Sequence, residues 1–421
     1  MNSASAGDKP LSGVRVVEVS LMHAGPIATG MLGALGAELI KVEGISSGDP
    51  ARPMEKTYGQ DGRLLEGRSA IFESYNSGKK SVSIDLKNPD GIKLLYEIVK
   101  KSDVFLHNMK AETAVKLGID FASLCKHNPK IVYASVSGFG PSGPDATRPG
   151  LDPVGVARSG MMAALCGGSH MKPYLPPTAV ADRMAGIMAS YGILAALIAR
   201  DRTGKPQKVE SSLLGGSMWL GHMNLQYAFF KGEELLPAPS EETPLYTAYQ
   251  CSDSRWMVIW IQNERAWPAF CSALELAPLA TDPRFVNPKA RNENPLALAE
   301  ILKKRMAEKT SLEWEKILAQ HPDLVFQPVR IPTEVSEDPQ VRANGYVVEV
   351  HHPELGMVKR MALPLHLNGA PIGGFDRPAP RLGEHTVEVL TDVLGLSGAQ
   401  IDALAAKGAT STAASKRHAA A

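Results

Sequence analysis

Short apolar runs alternate with helical stripes along the N-terminal third of the chain. The β-branched run Gly13–Val19 predicts a buried strand, a helix follows from Ile27 to Leu35, and Pro89–Lys101 has apolar residues at helical spacing. Further apolar runs predict strands at Glu38–Val42, Val82–Leu86, Asp103–Leu106 and Ile131–Val136. Strands that alternate with helices in this way predict an α/β fold with a Rossmann-like, doubly wound and mostly parallel sheet.

The pattern changes after residue 225. Gly232–Thr243 is rich in Pro and Glu and predicts a linker, and Trp256–Ile261 predicts a strongly apolar strand before several helical stretches. We therefore expect a large domain over residues 1–225 and a linker with a smaller α+β domain over 226–340. One more amphipathic helix is expected after Thr386, and the tail Ser411–Ala421 is expected to be disordered.

Composition narrows the class of protein. The chain has 421 residues, of which 44% are hydrophobic and 21% charged, as in an ordinary soluble enzyme of two domains. A net charge of +1 argues against a nucleic-acid partner. The first eight residues lack the pattern of a signal peptide, and no uncharged apolar stretch reaches spanning length. We expect a cytoplasmic protein without a membrane partner.

Several common cofactor motifs are absent from the sequence. No GxGxxG follows the first strand, which disfavours nicotinamide and flavin, and there is no GxxxxGK[ST] phosphate loop. The four cysteines form no CxxC pair and have no His at zinc-finger spacing. We therefore expect no metal, and we expect the cysteines to be reduced thiols.

A single acid, Asp182, lies between the apolar run Pro176–Ala181 and a small-residue helix start, before the long apolar helix Ile187–Arg200. Asp is a favoured helix N-cap, so the position has a structural interpretation. An ionised carboxylate beside a helix N-terminus can also be a nucleophile, because the dipole keeps its charged form stable. The sequence position leaves both interpretations open.

A series of motifs then occurs in a fixed order along nearly the whole chain. It comprises Ala24-Gly25-Pro26, Gly33–Glu43, Gly48-Asp49-Pro50, Asn76–Lys87, Ser137-Gly138-Phe139-Gly140, Gly192–Leu197 and Leu382–Thr386. The series resembles the class III CoA-transferases, which include formyl-CoA transferase and the carnitine CoA-transferase and share a superfamily with α-methylacyl-CoA racemase.

The resemblance implies both a fold and a reaction. It implies that residues 341–421 return to the large domain and that two chains form an interlocked homodimer. It also implies that Asp182 is the nucleophile that moves CoA from an acyl-CoA donor to a carboxylic acid acceptor. Attack on the donor thioester gives a mixed anhydride, and the released thiolate then forms an aspartyl-CoA thioester, which splits one difficult displacement into easier steps.

The resemblance also implies which residues contact coenzyme A. Lys79, Lys80 and Lys116 are expected near its phosphates, the strand-end pair Asn108 and Met109 near the pantetheine, and His23 with Ala24 at the turn after the first strand. For Arg183, directly after Asp182, we favour an ion pair with a surface acid over a substrate contact.

The sequence departs from the family pattern at two places. Gly44 stands where many members have a basic residue, and nothing between Gly232 and Trp256 matches a glycine-rich closing loop. Two alternatives to the transferase are kept. A racemase needs a His in Gly150-Leu151-Asp152, where this chain has Leu151, and a subunit of a heteromeric transferase would need a paralogous partner.

Overall fold

The computed structural model describes residues 9–412 except Asp376. The described chain divides into two compact units, and the first combines the described parts of Met1–Leu235 and Pro339–Ala421. The second unit is Leu236–Asp338. The first unit therefore extends to Leu235, ten residues past the boundary expected at residue 225.

The elements are numbered in chain order. The N-terminal part of the first unit contains β1 (Arg15–Val19), α1 (Ala24–Ala34), β2 (Glu38–Glu43), β3 (Lys56–Thr57), β4 (Gln60–Asp61), a 3-10 turn (Leu65–Gly67), α2 (Ala70–Asn76), β5 (Lys80–Ser83), α3 (Pro89–Lys100), β6 (Val104–His107), α4 (Ala111–Lys116), α5 (Phe121–Cys125), β7 (Val132–Ser137), α6 (Asp152–Arg158), α7 (Met161–Leu165), α8 (Val180–Thr203), β8 (Gln207–Ser212), α9 (Leu213–Leu220) and α10 (His222–Lys231). The second unit contains β9 (Tyr246–Gln250), β10 (Trp256–Trp260), α11 (Ala266–Ala273), a 3-10 turn (Ala277–Ala280), α12 (Pro288–Glu293), α13 (Pro295–Met306), α14 (Ser311–Leu318), β11 (Val325–Pro328) and α15 (Pro332–Val335). The returning segment contains α16 (Pro339–Ala343), β12 (Val347–His352), β13 (Gly356–Met361), β14 (His366–Leu367), β15 (Ala370–Pro371), α17 (Thr386–Asp392) and α18 (Gly398–Ala406).

The main sheet has the order β5-β2-β1-β6-β7-β8, and all of its neighbouring strands are parallel. Counted along the chain within this sheet, the order is 3-2-1-4-5-6, which is the doubly wound arrangement. The direction of winding reverses between β1 and β6, and ligands bind in such sheets beyond the carboxyl ends of the strands at that point. The α/β architecture expected from the sequence is confirmed.

Both faces of this sheet are covered by helices. On one face, Val16, Leu106 and Val132 pack with α1 and α8, and on the other Val17 and Phe105 pack with α3, α17 and α18. Successive strand residues point to opposite faces, so strands that are apolar throughout are buried on both sides.

Helix α8 is the central helix of the first face. Among the residues described, it is the helix that is long and apolar enough to cross a membrane by length and composition. Its small side chains Ala181, Ala185 and Ala189 are buried within the core shared with α1 and the sheet. A helix buried in the core of a domain can have the same length and apolar composition as a membrane span, so the composition of α8 is weak evidence for a span.

The returning segment completes the sheet edge at β5. The amide of Ser83 donates to Thr386 Oγ1 at 3.1 Å, and Thr410 Oγ1 donates to the carbonyl of Ser83 at 2.5 Å. The amide of His385 likewise donates to the carbonyl of Ser81 at 3.0 Å. The expected tail began at Ser411, but Thr412 is buried, and residues 413–421 of this expected tail lie outside the described chain.

The second unit is an α+β unit with its own core. Its antiparallel sheet has the order β11-β10-β9 and packs against α11, α13 and α14 through residues such as Trp267, Phe270 and Trp314. Asp253 accepts hydrogen bonds from the amide and hydroxyl of Ser311 at 3.0 and 2.8 Å, which satisfies one of the free amides at the N-terminus of α14.

Candidate active site

A cavity of about 940 Å³ opens where the winding of the sheet reverses. It is lined by the turn after β1, including Met22, His23 and Ala24, and by Asn108 and Met109 after β6. The side chain of Asn108 accepts from the amide of Leu21 at 2.9 Å and donates to its carbonyl at 2.7 Å, which ties the two strand ends together. The two strand ends therefore line one cavity, and the contact of His23, Ala24, Asn108 and Met109 with coenzyme A stays a prediction.

The turn that carries His23 is held in an unfavourable backbone conformation. Met22 has φ 64°, and non-glycine residues in this region cost free energy unless their surroundings hold them. Asp49 provides that hold, because its Oδ1 accepts from the amide of Met22 at 3.1 Å while its Oδ2 lies 3.0 Å from Lys41 Nζ. The sequence motif around Asp49 gave no signal for this contact.

A buried ion cluster lies beneath the turn. Glu18 contacts Lys41 at 3.1 Å and Lys79 at 3.0 Å, all three side chains being fully buried, and accepts from the Thr29 hydroxyl. Burial alone would raise the pKa of Glu18, but the two ammonium groups lower it to about 2. Burial lowers the pKa of Lys79 to about 8 against the attraction of Glu18. The cluster therefore fixes β1, β2 and the residue before β5 around the ionised Glu18 carboxylate, whose charge the two ammonium groups balance.

Asp182 lies in the first turn of α8, but it is not the cap of that helix. The N-cap is Ala179, at φ 48° and ψ 55°, and it provides no side-chain hydrogen bond. Asp152 of α6 serves instead, because its Oδ1 accepts from the amide of Asp182 at 3.0 Å and its carboxylate also interacts with the amide of Ala181. The Asp182 carboxylate is thereby left free of capping and lines the cavity.

The Asp152 carboxylate shares this environment with Asp182. Burial raises the pKa of Asp152, and the negative charge of Asp182 acts in the same direction, against the hydrogen bonds from the two amides. Two carboxyl groups thus lie together at the cavity wall, and one of them is committed to backbone amides.

His23 is paired with Asp182. Its Nδ1 lies 3.4 Å from Asp182 Oδ2, and its ring meets that of Tyr75 edge-on with centroids 5.2 Å apart. Close packing of α1 against α8 brings the two together, since a Cβ on Gly186 would lie only 2.9 Å from the carbonyl oxygen of Ala24. His23 and Asp182 are therefore in contact at the cavity wall.

The three lysines expected at the CoA phosphates do not line the cavity. Lys79 is buried in the cluster with Glu18, and Lys80 pairs with Glu38 and Glu388 at 2.9 Å each. Lys116 is exposed on α4, one residue beyond the part of that helix that reaches the cavity. Burial and ion pairing occupy the ammonium groups of Lys79 and Lys80, and the contact of the three lysines with coenzyme A stays a prediction.

Other cations do line the cavity and were not singled out from the sequence. They are Lys110 after β6, Arg148 before α6 and Lys208 of β8. Lys208 pairs with Glu210 at 2.8 Å, and Arg148 lies 3.8 Å from Asp145. Their spacing along the chain carries no signal, because only the sheet brings them to one cavity.

A buried histidine and tyrosine also belong to the cavity wall. His107 Nε2 and the Tyr133 hydroxyl are 2.5 Å apart, and burial lowers the pKa of His107 to about 4. Burial also raises the pKa of Tyr133. The pair is therefore a neutral hydrogen-bonded unit behind the strand ends near neutral pH.

A doubly wound sheet with a carboxylate beside a large cavity at its reversal point is suited to binding a bulky ligand. The chain matches the family described as CoA-transferase family III over residues 11–386, and it belongs to that family. It is a class III CoA-transferase that uses CoA thioesters as substrates, and the resemblance noted in the sequence is confirmed.

Relatives of known activity cover nearly the whole chain. The succinate–glutarate CoA-transferase of Agrobacterium fabrum is 31% identical over 91% of this chain and 96% of its own length. The succinyl-CoA–D-citramalate CoA-transferase of Chloroflexus aurantiacus is 30% identical over 96% of this chain and 99% of its own. A solved structure of a CaiB/BaiF family protein from Brucella suis has a TM-score of 0.80 and 29% identity over 91% of this chain and 99% of that one.

Proposed function

We propose that this transferase works through covalent catalysis by Asp182, with an acyl-CoA as donor and a carboxylic acid as acceptor. The supporting observation is the Asp182 carboxylate, which lines the cavity beside His23 while Asp152 takes over the helix amides. A carboxylate that does not cap its own helix keeps its oxygens for attack.

The steps balance in atoms and charge without any proton transfer. The Asp182 carboxylate attacks the donor thioester carbonyl, the carbon–sulfur bond breaks, and a mixed anhydride and CoA thiolate result. The thiolate attacks the aspartyl carbonyl of the anhydride, which releases the donor acid as carboxylate and leaves aspartyl-CoA. The acceptor carboxylate then attacks this thioester, and the thiolate released attacks the acceptor carbonyl of the second anhydride. Acceptor-CoA leaves and the Asp182 carboxylate is restored.

Trapping tests the nucleophile directly. The protein is incubated with an acyl-CoA and hydroxylamine, and the modified residue is mapped by mass spectrometry. We expect a hydroxamate on Asp182, and we expect Asp182→Ala to abolish CoA transfer. Asp201→Ala is the matched control, because Asp201 lies on the same helix, pairs with Arg200 and does not line the cavity. Labelling of another residue, or full activity of Asp182→Ala, would contradict the mechanism.

The racemase alternative makes a different prediction. Leu151 occupies the position where a racemase needs its His, and a Leu side chain cannot carry a proton. Exchange of deuterium from solvent into the α-position of an acyl-CoA, without any acceptor acid, would favour the racemase.

We also propose that the working enzyme is an interlocked homodimer. Large apolar side chains of α9 and α10 are exposed in the single chain, including Trp219, Met223 and Phe230. Exposed apolar patches of this kind are typical of interfaces. The mass of the active species in solution tests the proposal, and activity only after addition of a paralogous chain would favour the heteromer.

A further inference from the structure

A second, smaller cavity of about 230 Å³ adjoins the first. The two share His23 and Tyr58 in their linings, and the second adds Tyr75, Thr178 and Arg183. Since His23 contacts Asp182, the shared wall lies beside the proposed nucleophile. The small cavity therefore has a size and a position suited to a small acid rather than to coenzyme A.

Arg183 is the unusual residue of this cavity. Its Nε donates to the carbonyl of Thr178 at 2.8 Å, and its Nη2 donates to the Tyr75 hydroxyl at 3.1 Å. The guanidinium also lies 5.8 Å from the centroid of the Tyr75 ring. In the described part of the chain, no ion pair is formed by Arg183. The surface ion pair expected from the sequence is thus not found, although the side chain is oriented by two neutral partners.

The one acid in the lining does not compensate this charge. Asp61 faces the cavity but is bound by Arg63, whose Nε and Nη2 lie 2.9 and 2.8 Å from its two oxygens. A guanidinium that is held in place and keeps unused N–H donors is suited to bind a carboxylate in a bidentate manner.

The side chains of Asp182 and Arg183 leave α8 in different directions. Successive residues of a helix are about 100° apart around its axis, so one faces the nucleophilic site and the next faces the small cavity. Tyr75 connects them, since it packs on His23 and accepts a hydrogen bond from Arg183. A short-chain acid with a carboxylate at each end has one group for the nucleophilic site and one for the small cavity.

We propose that the small cavity is the acceptor subsite and that Arg183 binds the non-reacting carboxylate of a short-chain dicarboxylic acid. The assignment rests on the proposed function, because it places the reacting carboxylate at Asp182. It makes Arg183 a specificity-determining residue that acts on the acceptor and leaves the chemistry at Asp182 unchanged.

The test compares acceptors that differ only in the second carboxylate. Arg183→Gln and Arg183→Lys are assayed with glutarate and with valerate, using acetyl-CoA as a donor without a free carboxylate. We expect Arg183→Gln to raise KM for glutarate at least tenfold relative to its effect on valerate, and Arg183→Lys to recover part of the loss. Arg202→Gln, an exposed change in the last turn of the same helix, should alter neither acceptor.

Hydroxylamine labelling separates this inference from the mechanism. Labelling of Asp182 by acetyl-CoA should be the same in the unmodified protein and in Arg183→Gln. If Asp182 is labelled but both acceptors are affected equally, or neither is affected, the acceptor subsite is refuted while the nucleophile stands. If Asp182 is not labelled in any variant, the proposed function itself fails.

Discussion

Asp152 offers a sharp test of how the site is built, because it supports Asp182 from a separate helix. Its carboxylate is hydrogen-bonded to the amides of Asp182 and Ala181, and Ala179 supplies no cap of its own. Asp152→Ala leaves these amides without a protein acceptor. Loss of a helix cap costs about 1 kcal/mol, with a range of roughly 0.5–2 kcal/mol. The burial that raises the pKa of Asp152 offsets part of its contribution, so we expect a loss of about 1 kcal/mol in the free energy of unfolding.

The effect on catalysis should exceed the effect on stability. A small displacement of a nucleophile can reduce the rate by roughly 10²-fold, so we expect kcat to fall by about 10- to 100-fold in Asp152→Ala. Asp152→Asn keeps an amide oxygen as acceptor and should restore most of kcat. Urea unfolding measures stability, and steady-state transfer with a fixed acyl-CoA measures kcat and KM separately.

A matched control comes from the second unit. Asp253 accepts from the amide of Ser311 at the start of α14, as Asp152 accepts from the amide of Asp182. Asp253→Ala should lower stability by a similar amount and leave kcat unchanged. An unchanged kcat in Asp152→Ala, or an equal loss of kcat in Asp152→Ala and Asp253→Ala, would refute the view that Asp152 positions the nucleophile.

Two further predictions concern buried charge and pH. Lys79→Met leaves Glu18 with one ammonium partner fewer in a fully buried cluster, so we expect a loss of about 3–5 kcal/mol in unfolding free energy, against about 1 kcal/mol or less for Lys80→Met at the sheet edge. Equal losses in the two variants would contradict this difference in burial. His107 takes up a proton below pH 6.5 when unfolded but only below about 4 when folded, so its contribution is complete above pH 6.5 and is lost as the pH falls to 4. The pKa difference of His107 between the unfolded and folded states corresponds to roughly 3 kcal/mol of stability. The free energy of unfolding of His107→Gln should therefore depend less on pH between 4 and 6.5 than that of the unmodified protein. Parallel plots of this free energy against pH for the two proteins would contradict the prediction.

Much of the large unit could be predicted from the sequence because its signals are local. The strands β1, β2, β6 and β7 are short apolar runs, and α3 has apolar residues at helical spacing that match its buried face. Elements built from short or mixed segments were harder to predict from the sequence. The hairpin of β3 and β4 lies in a stretch that reads as a loop, yet it carries Tyr58 into both cavities.

The site residues also differ in whether local sequence signals or tertiary packing determine their places. Asp182 and His23 stand at element boundaries that the sequence marks, so their approximate places were predictable. Lys79 and Lys80 are identical neighbours in sequence, and only the sheet turns one into the core and the other toward its edge. The role of Asp152 as cap for a helix that begins after Ala179 depends on tertiary packing, which no spacing rule encodes.

The hydrogen bonds at the β5 edge have a consequence for synthesis. An open edge strand is a template for pairing with another chain, and here Ser81 and Ser83 are covered by residues close to the C-terminus. The contacts from Thr386 and Thr410 to Ser83 span 303 and 327 positions. A ribosome that has released β5 must therefore extend the chain through the whole second unit before the covering residues emerge. Nascent chains stalled before α17 should expose this edge and be the species most dependent on chaperones.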